Sequence, residues 1–80
     1  MSSIKREDVV GKHVIDPEGK IVGTVKDVVI GSDGHANLLI SMKVRRGSKV
    51  RELEYTIPFS KVVGVGDVVL ISAKVRVRKV

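Results

Sequence analysis

The stretch ANLLISMKVRRGSKVRELEYTI, residues 36–57, decides the fold. Leu38 and Ile40 fall on one parity of its first half, while most positions of the other parity are polar or charged. The second half alternates again through Leu53 and Ile57. A period of two is typical of a strand that buries one face. The stretch therefore predicts two antiparallel strands joined at a basic Arg-Arg-Gly-Ser tip.

The composition of the whole chain agrees with a β protein. It holds 17 Val and 7 Ile against 4 Leu, and residues branched at Cβ favour sheets over helices. Eighty residues allow one domain, and 42% apolar content argues against disorder. The absence of cysteine excludes disulfides and thiolate metal sites. No apolar run approaches the length of a membrane helix, and no signal peptide is recognisable at the start.

Outward from this hairpin, further strands alternate with glycine turns. Strands are predicted at 12–15, 21–30, 67–72 and 73–80, and turns at 16–19 and 31–34. The apolar parity changes near Lys26, which predicts a β-bulge. Residues 2–10 form a polar lead-in that could hold one helical turn capped by Ser3, and 59–62 could form a single helical turn. We therefore expect an all-β chain, a single domain over 1–80: a small barrel of about six strands with short turns and at most one helical turn.

The charge of the chain is unevenly distributed. Residues 1–40 hold five Lys or Arg and six Asp or Glu, whereas residues 41–80 hold ten and three. All of the excess positive charge therefore lies in the second half. Such asymmetry indicates either an anionic partner or a solvated, charge-rich surface.

Four segments carry a resemblance to a known family. They are Gly11-Lys12-x-Val14-x-Asp16-x-x-Gly19, Val22-Gly23-x-Val25-x-Asp27-Val28, Ile57-Pro58-Phe59-Ser60 and Val65-Gly66-Asp67-Val68-Val69. In this order they resemble the PRC-barrel domain family over residues 8–72, which leaves 73–80 as a terminal basic strand. The resemblance implies a six-stranded β-barrel, in agreement with the strand pattern.

The resemblance also implies a function. PRC-barrel domains are adaptor modules, and they offer no catalytic residues to transfer to this chain. The stand-alone archaeal type is similar to proteins of FtsZ-based cell division that pair with one another and contact the membrane anchor SepF. We therefore expect a cytoplasmic homodimer, or a heterodimer with a related PRC-barrel protein, that is held at the division site by its partner without direct membrane insertion. The alternative is a ribosome- or RNA-associated factor that resembles the barrel domain of the maturation factor RimM.

No residue constellation in the sequence indicates an enzyme. His13 and His35 lack further ligands at metal-binding spacing, so we expect no metal and no cofactor. Ser, Asp and His are consecutive in the turn 32–35 and cannot converge on one reacting atom. Glu52 and Glu54 share the solvent face of a strand, where unshifted carboxylates make poor general acids. The glycines of 64–66 precede a strand, unlike those of a dinucleotide-binding loop.

Clustered cations mark the candidate partner-binding face. Its members are Lys43, Arg45, Arg46, Lys49 and Arg51. Phosphate binding requires such a cluster, but binding of single strands also requires exposed aromatic rings. Tyr55 and Phe59 are the only aromatic residues, and Tyr55 lies on the apolar parity of its strand. A protein partner is therefore preferred over nucleic acid.

The last segment is the candidate dimer strand. Its members are Lys74, Val75, Arg76, Val77 and Arg78. A short terminal strand can pair across a two-fold axis, although charges can also guard an edge against pairing. Dimerisation would add burial to a small core.

Overall fold

The computed structural model of the chain describes residues 5–75. The elements are α1 Arg6–Val9, β1 His13–Ile15, β2 Ile21–Ile30, β3 Ala36–Arg46, β4 Lys49–Pro58, a 3-10 turn Phe59–Lys61, β5 Val62–Val65 and β6 Val69–Ile71. The predicted all-β class with six strands is confirmed. Two short helical turns, α1 and the 3-10 turn, are present where at most one was expected.

The six strands form one sheet in the order β4-β3-β2-β1-β6-β5. Neighbouring strands are antiparallel except β1 and β6, which pair in parallel through Val14 with Val69 and Ile15 with Leu70. Within the described residues the order is linear rather than closed, so β4 and β5 are its two edges. This leaves β4, the longer edge, open to a further strand.

A single apolar core lies inside the curled sheet. It consists of Val9, Val14, Val22, Val25, Leu38, Ile40, Ile57, Val69 and Ile71. These side chains come from α1 and from every strand except β5, so the two halves of the sheet must face each other. Eight of the nine core residues are Val or Ile, which explains how a chain so poor in leucine can fill a core.

The predicted β-bulge is confirmed. The pairing of β2 with β3 shifts between Val25 and Asp27, which leaves Lys26 as the extra residue. A second shift in the pairing of β1 with β2 falls between Val14 and Ile15 and makes Val22 the extra residue there. Bulges increase the local twist of a strand, and two of them on β2 bend the sheet around the core.

Gly23 allows β3 to pass close to β2. Its φ is 151°, and a Cβ at this position would meet the Ile40 side chain and lie 2.8 Å from the carbonyl oxygen of Ser41. Any side chain would therefore push the two strands apart. Glycine is needed here for close approach as well as for its backbone conformation.

The helix α1 covers one end of the core. Val9 is fully buried, although the sequence analysis predicted residues 2–10 as a polar lead-in. The Asp8 carboxylate accepts a hydrogen bond from the Lys5 backbone N–H at 2.7 Å, which caps the turn. The Arg6 Nε donates to Asp27 Oδ1 at 2.6 Å and joins α1 to β2. Val9 and Val10 are adjacent and show no helical or strand periodicity, so the sequence alone does not predict that Val9 is buried.

Three further elements differ from the sequence prediction. The predicted strand 67–72 is shorter and spans Val69–Ile71. Residues 62–65 form β5, a strand that the sequence analysis did not predict. Of the predicted strand 73–80, the described residues 73–75 lie outside regular structure, and 76–80 lie outside the described residues.

Candidate interaction site

The β3–β4 hairpin continues beyond the rest of the sheet. Pairing of β2 with β3 ends at Thr24 and Ser41, whereas pairing of β3 with β4 continues to Arg46 and Lys49. Residues 42–53 therefore form a two-stranded arm, a name used below for this segment. The arm accounts for a molecule that measures 46 Å along its longest axis and 28 and 20 Å along the others.

The arm is exposed on both sides. All five basic residues of the predicted partner-binding face are exposed, as are the apolar side chains Val50 and Leu53, at 55% and 37%. At the tip, Gly47 adopts a φ of 58° in the first loop position, as in a type II′ turn. Apart from Met42, which packs against the core, the arm contributes little to the core and leaves its side chains available to a partner.

The register divides the predicted basic face into two. Residues opposite each other in an antiparallel pair share a face, and the β3–β4 register runs without a bulge from Leu38 to the tip. The face that continues from Leu38 and Ile40, here called the inner face, carries Met42, Val44, Arg46, Lys49, Arg51 and Leu53. The opposite outer face carries Lys43, Arg45, Val50 and Glu52. The structure thus brings three of the five predicted cations together and separates the other two.

The outer face is neutralised by ion pairs that the sequence analysis did not predict. Lys26 contacts Glu52 at 3.4 Å and also contacts Glu54, while the Ser41 hydroxyl donates to Glu52 at 2.8 Å. The hydrogen bond to Glu54 and the charges of both carboxylates raise the pKa of Lys26. The Ser41 hydrogen bond, followed by the charge of Lys26, lowers the pKa of Glu52. No local pattern of the sequence indicates this contact, because it joins β2 and β4, which are not neighbours in the sheet.

A groove of about 640 Å³ opens where β3 departs from β2. Its lining includes His13, Thr24, Lys26, Ser41 and Glu52. General acids and bases work best with a pKa near neutrality, but Lys26 and Glu52 are shifted away from it in opposite directions. The groove thus holds an ion-pair network that is poorly suited to proton transfer.

The histidines lie apart from one another. The His13 ring lies 3.4 Å from the Thr24 hydroxyl, and His35 belongs to the turn between β2 and β3. In the part of the chain that the structure describes, no three His, Asp or Glu side chains are placed to hold a metal ion.

Both aromatic side chains are engaged in the fold. The Tyr55 hydroxyl donates to the carbonyl oxygen of Val22, and burial raises the pKa of Tyr55. Phe59 is half-buried against the core. Neither ring is therefore a free platform for base stacking.

The predicted dimer strand is described only at its start. Lys74 contacts Glu18 at 2.6 Å, and Val75 packs against the core. Arg76, Val77 and Arg78 lie outside the described residues. The chain is thus fixed to the body of the molecule as far as Val75.

These features define a class: a small all-β domain with a curled sheet, an open edge strand and a projecting arm. No helix within residues 5–75 has the length and apolar character needed to cross a membrane. The PRC-barrel domain family matches residues 1–78, and the chain belongs to this family. The resemblance to this family found in the sequence is confirmed, and the family is generally one of small non-catalytic domains. A comparison with curated proteins finds no match.

Proposed function

We propose that this PRC-barrel protein is a non-catalytic adaptor that binds a protein partner through its arm. The observation that carries the proposal is the arm itself, two exposed strands that project from a compact core. Exposed side chains contribute little to folding, because their apolar area stays in water. An exposed hairpin of this length is therefore better suited to contacts outside the molecule than to stability.

The chemistry of the inner face supports a protein partner. Arg46, Lys49 and Arg51 lie at the tip, and Met42, Val44 and Leu53 follow toward the body. Apolar side chains rimmed by arginine are typical of protein interfaces, in which arginine is enriched and charged pairs set the orientation. The partner that fits is a surface with an apolar patch beside acidic residues.

The resemblance to stand-alone archaeal PRC-barrel proteins supports a place in FtsZ-based cell division. We propose SepF as the partner, so that the protein is cytoplasmic and is held at the division site through this membrane anchor. In the same proposal the chain pairs with itself or with a related PRC-barrel protein.

The cationic tip also supports a second candidate, an RNA- or ribosome-associated function similar to that of the RimM barrel. Three cations on one face can contact phosphates without reading a sequence. The engagement of Tyr55 and Phe59 in the fold weighs against single-strand binding by stacking. A protein partner therefore remains the preferred proposal.

The test compares the two faces of the arm in a binding titration with purified SepF from the source cells. The tip variant carries Arg46→Glu, Lys49→Glu and Arg51→Glu, and the outer variant carries Lys43→Glu and Arg45→Glu. We expect the tip variant to bind at least 100-fold more weakly, since each charge pair lost at an interface costs about 1–2 kcal/mol. The outer variant should bind within a few-fold of the wild type.

If both variants bound SepF as strongly as the wild type does, the inner face would not be the binding site. The RNA alternative is tested by affinity capture from nuclease-treated and untreated lysate. Ribosomal material that disappears with nuclease, together with absence of SepF binding, would replace the adaptor proposal.

A further inference from the structure

The edge strand β4 is the largest unpaired backbone surface in the described part of the chain. It runs for ten residues, whereas the other edge, β5, has four and is interrupted by a register shift. One side of β4 therefore presents a row of N–H and C=O groups that can accept another strand. The charges at its centre decide which strand fits.

Pairing of β4 with β4 of a second copy about an axis at the centre of the strand is opposed by its own charges. When two copies of β4 pair in antiparallel fashion about a two-fold axis, one residue lies opposite the same residue of the second copy. If that residue is Arg51, Glu52 or Glu54, like charges face each other, and if it is Leu53, Glu52 faces Glu54 of the second copy. Like charges directly opposite destabilise a sheet, so self-pairing about an axis at residues 51–54 is disfavoured, and a strand of complementary charge fits this centre better.

The sequence contains a segment of the required pattern. The centre of β4 reads Glu52-Leu53-Glu54, and its complement is a cation, an apolar residue and a second cation. Arg76-Val77-Arg78 has this order. The similar Lys74-Val75-Arg76 is not free for the role, since Lys74 contacts Glu18 and Val75 packs against its own core.

We propose that residues 76–78 of one copy pair with the β4 edge of a second copy, and reciprocally, which gives a closed dimer. Val77 then lies opposite Leu53, and Arg76 and Arg78 lie opposite the two glutamates. The same types of residue face each other whether the two strands run parallel or antiparallel. Only the arginine that faces each glutamate changes. Residues 76–78 are called the tail below. Two equal contacts related by a two-fold axis use the tail and the β4 edge of both copies. The inference rests on the proposed self-association and specifies its contact.

The electrostatics of β4 suit this partner. The side chains of Glu52 and Glu54 are 48% and 42% exposed although both contact Lys26. A carboxylate has about four acceptor positions, so each can accept a further arginine from the free side of the edge. Leu53, at 37% exposure, gains an apolar neighbour from the same strand.

Two charge-reversed chains test the proposal by sedimentation of purified protein. The tail variant carries Arg76→Glu and Arg78→Glu, and the edge variant carries Glu52→Lys and Glu54→Lys. We expect the wild type to dimerise and each variant alone to do so at least about 100-fold more weakly. An equimolar mixture should recover the dimer, because each tail then meets an edge of opposite charge. A control with Lys5→Glu and Lys61→Glu lowers the net charge by as much as the tail variant does and should dimerise like the wild type.

Two results would overturn the contact. A wild-type dimer that the tail variant leaves intact would place self-association elsewhere on the molecule. Variants that remain monomeric when mixed would show that complementary charges do not join the two copies. A monomeric wild type would remove both this contact and the proposed self-association. Binding of SepF through the arm is measured separately, so it stands or falls independently of these outcomes.

Discussion

The two ends of the β3–β4 hairpin differ in what surrounds them. At the base, Leu38 and Ile40 are fully buried and Ile57 is 5% exposed. In the arm, Leu53 is 37% exposed although it lies on the same face and in the same uninterrupted register. The ladder of strand pairs is alike at both ends, but only the base meets β2 and the opposite half of the sheet.

If the arm binds a partner as proposed, this difference separates stability from recognition within one element. Apolar area removed from water stabilises the fold, so the base contributes to the free energy of unfolding. The arm keeps most of its surface in water, and in the proposed function its charges contact a partner. A strand can thus serve both purposes if its neighbours cover only part of it.

The largest expected effect of a single substitution is at the base. Leu38→Ala should lower the free energy of unfolding by about 3 kcal/mol, since truncation of a fully buried leucine loses apolar burial and leaves a cavity. Leu53→Ala, the same change on the same face of the arm, should cost less than about 1 kcal/mol. Urea denaturation of both variants measures the two values. Similar losses would mean that the arm is part of the core.

A smaller effect is expected from the contact that holds α1 to β2. The hydrogen bond from Arg6, followed by one from the backbone N–H of Val28, lowers the pKa of Asp27 below its usual 3.8. A carboxyl whose pKa is lower in the folded state stabilises the fold fully above the unfolded value and loses that contribution as the pH falls through the folded value.

Arg6→Ala should therefore be less stable than the wild type at pH 7, and the difference should shrink below about pH 3.8. Urea midpoints between pH 7 and pH 2 measure the trend. Lys5→Ala is the control, because it removes the same charge from the neighbouring residue. A difference between Arg6→Ala and the wild type that is constant with pH would show that Asp27 is not the group involved.

Much of the fold followed from local patterns in the sequence. Residues 21–30 were predicted as one strand with a bulge near Lys26, and the structure has both. The turn 16–19 was predicted from its Asp, Pro and Gly, and the Asp16 carboxylate indeed accepts the backbone N–H groups of Glu18 and Lys20, each at 2.9 Å. Alternation and turn chemistry are short-range signals, and these elements depend on little else.

The site was less predictable, because it depends on which strands meet. The five cations formed one cluster in sequence, but alternation along paired strands places them on two faces. The pairing of Lys26 with Glu52 and Glu54 joins residues far apart in the chain, and no local pattern encodes it. Burial of Val9 likewise requires the opposite half of the sheet to be in place. Contacts of this kind depend on the tertiary structure.

The most direct test of the central claim, that the arm serves recognition and the base serves stability, is a shortened hairpin. Deletion of residues 43–46 and 49–52 places Met42 and Leu53 beside the native Gly47-Ser48 turn. Four residues leave each strand, so the faces and the type of backbone pair at the turn are preserved.

We expect this variant to unfold cooperatively, with a free energy of unfolding within about 1 kcal/mol of the wild type, and to lose binding to SepF. Both quantities are measured on one preparation, by urea denaturation and by titration. Binding at wild-type strength by the shortened protein would contradict the account, as would loss of the folded state.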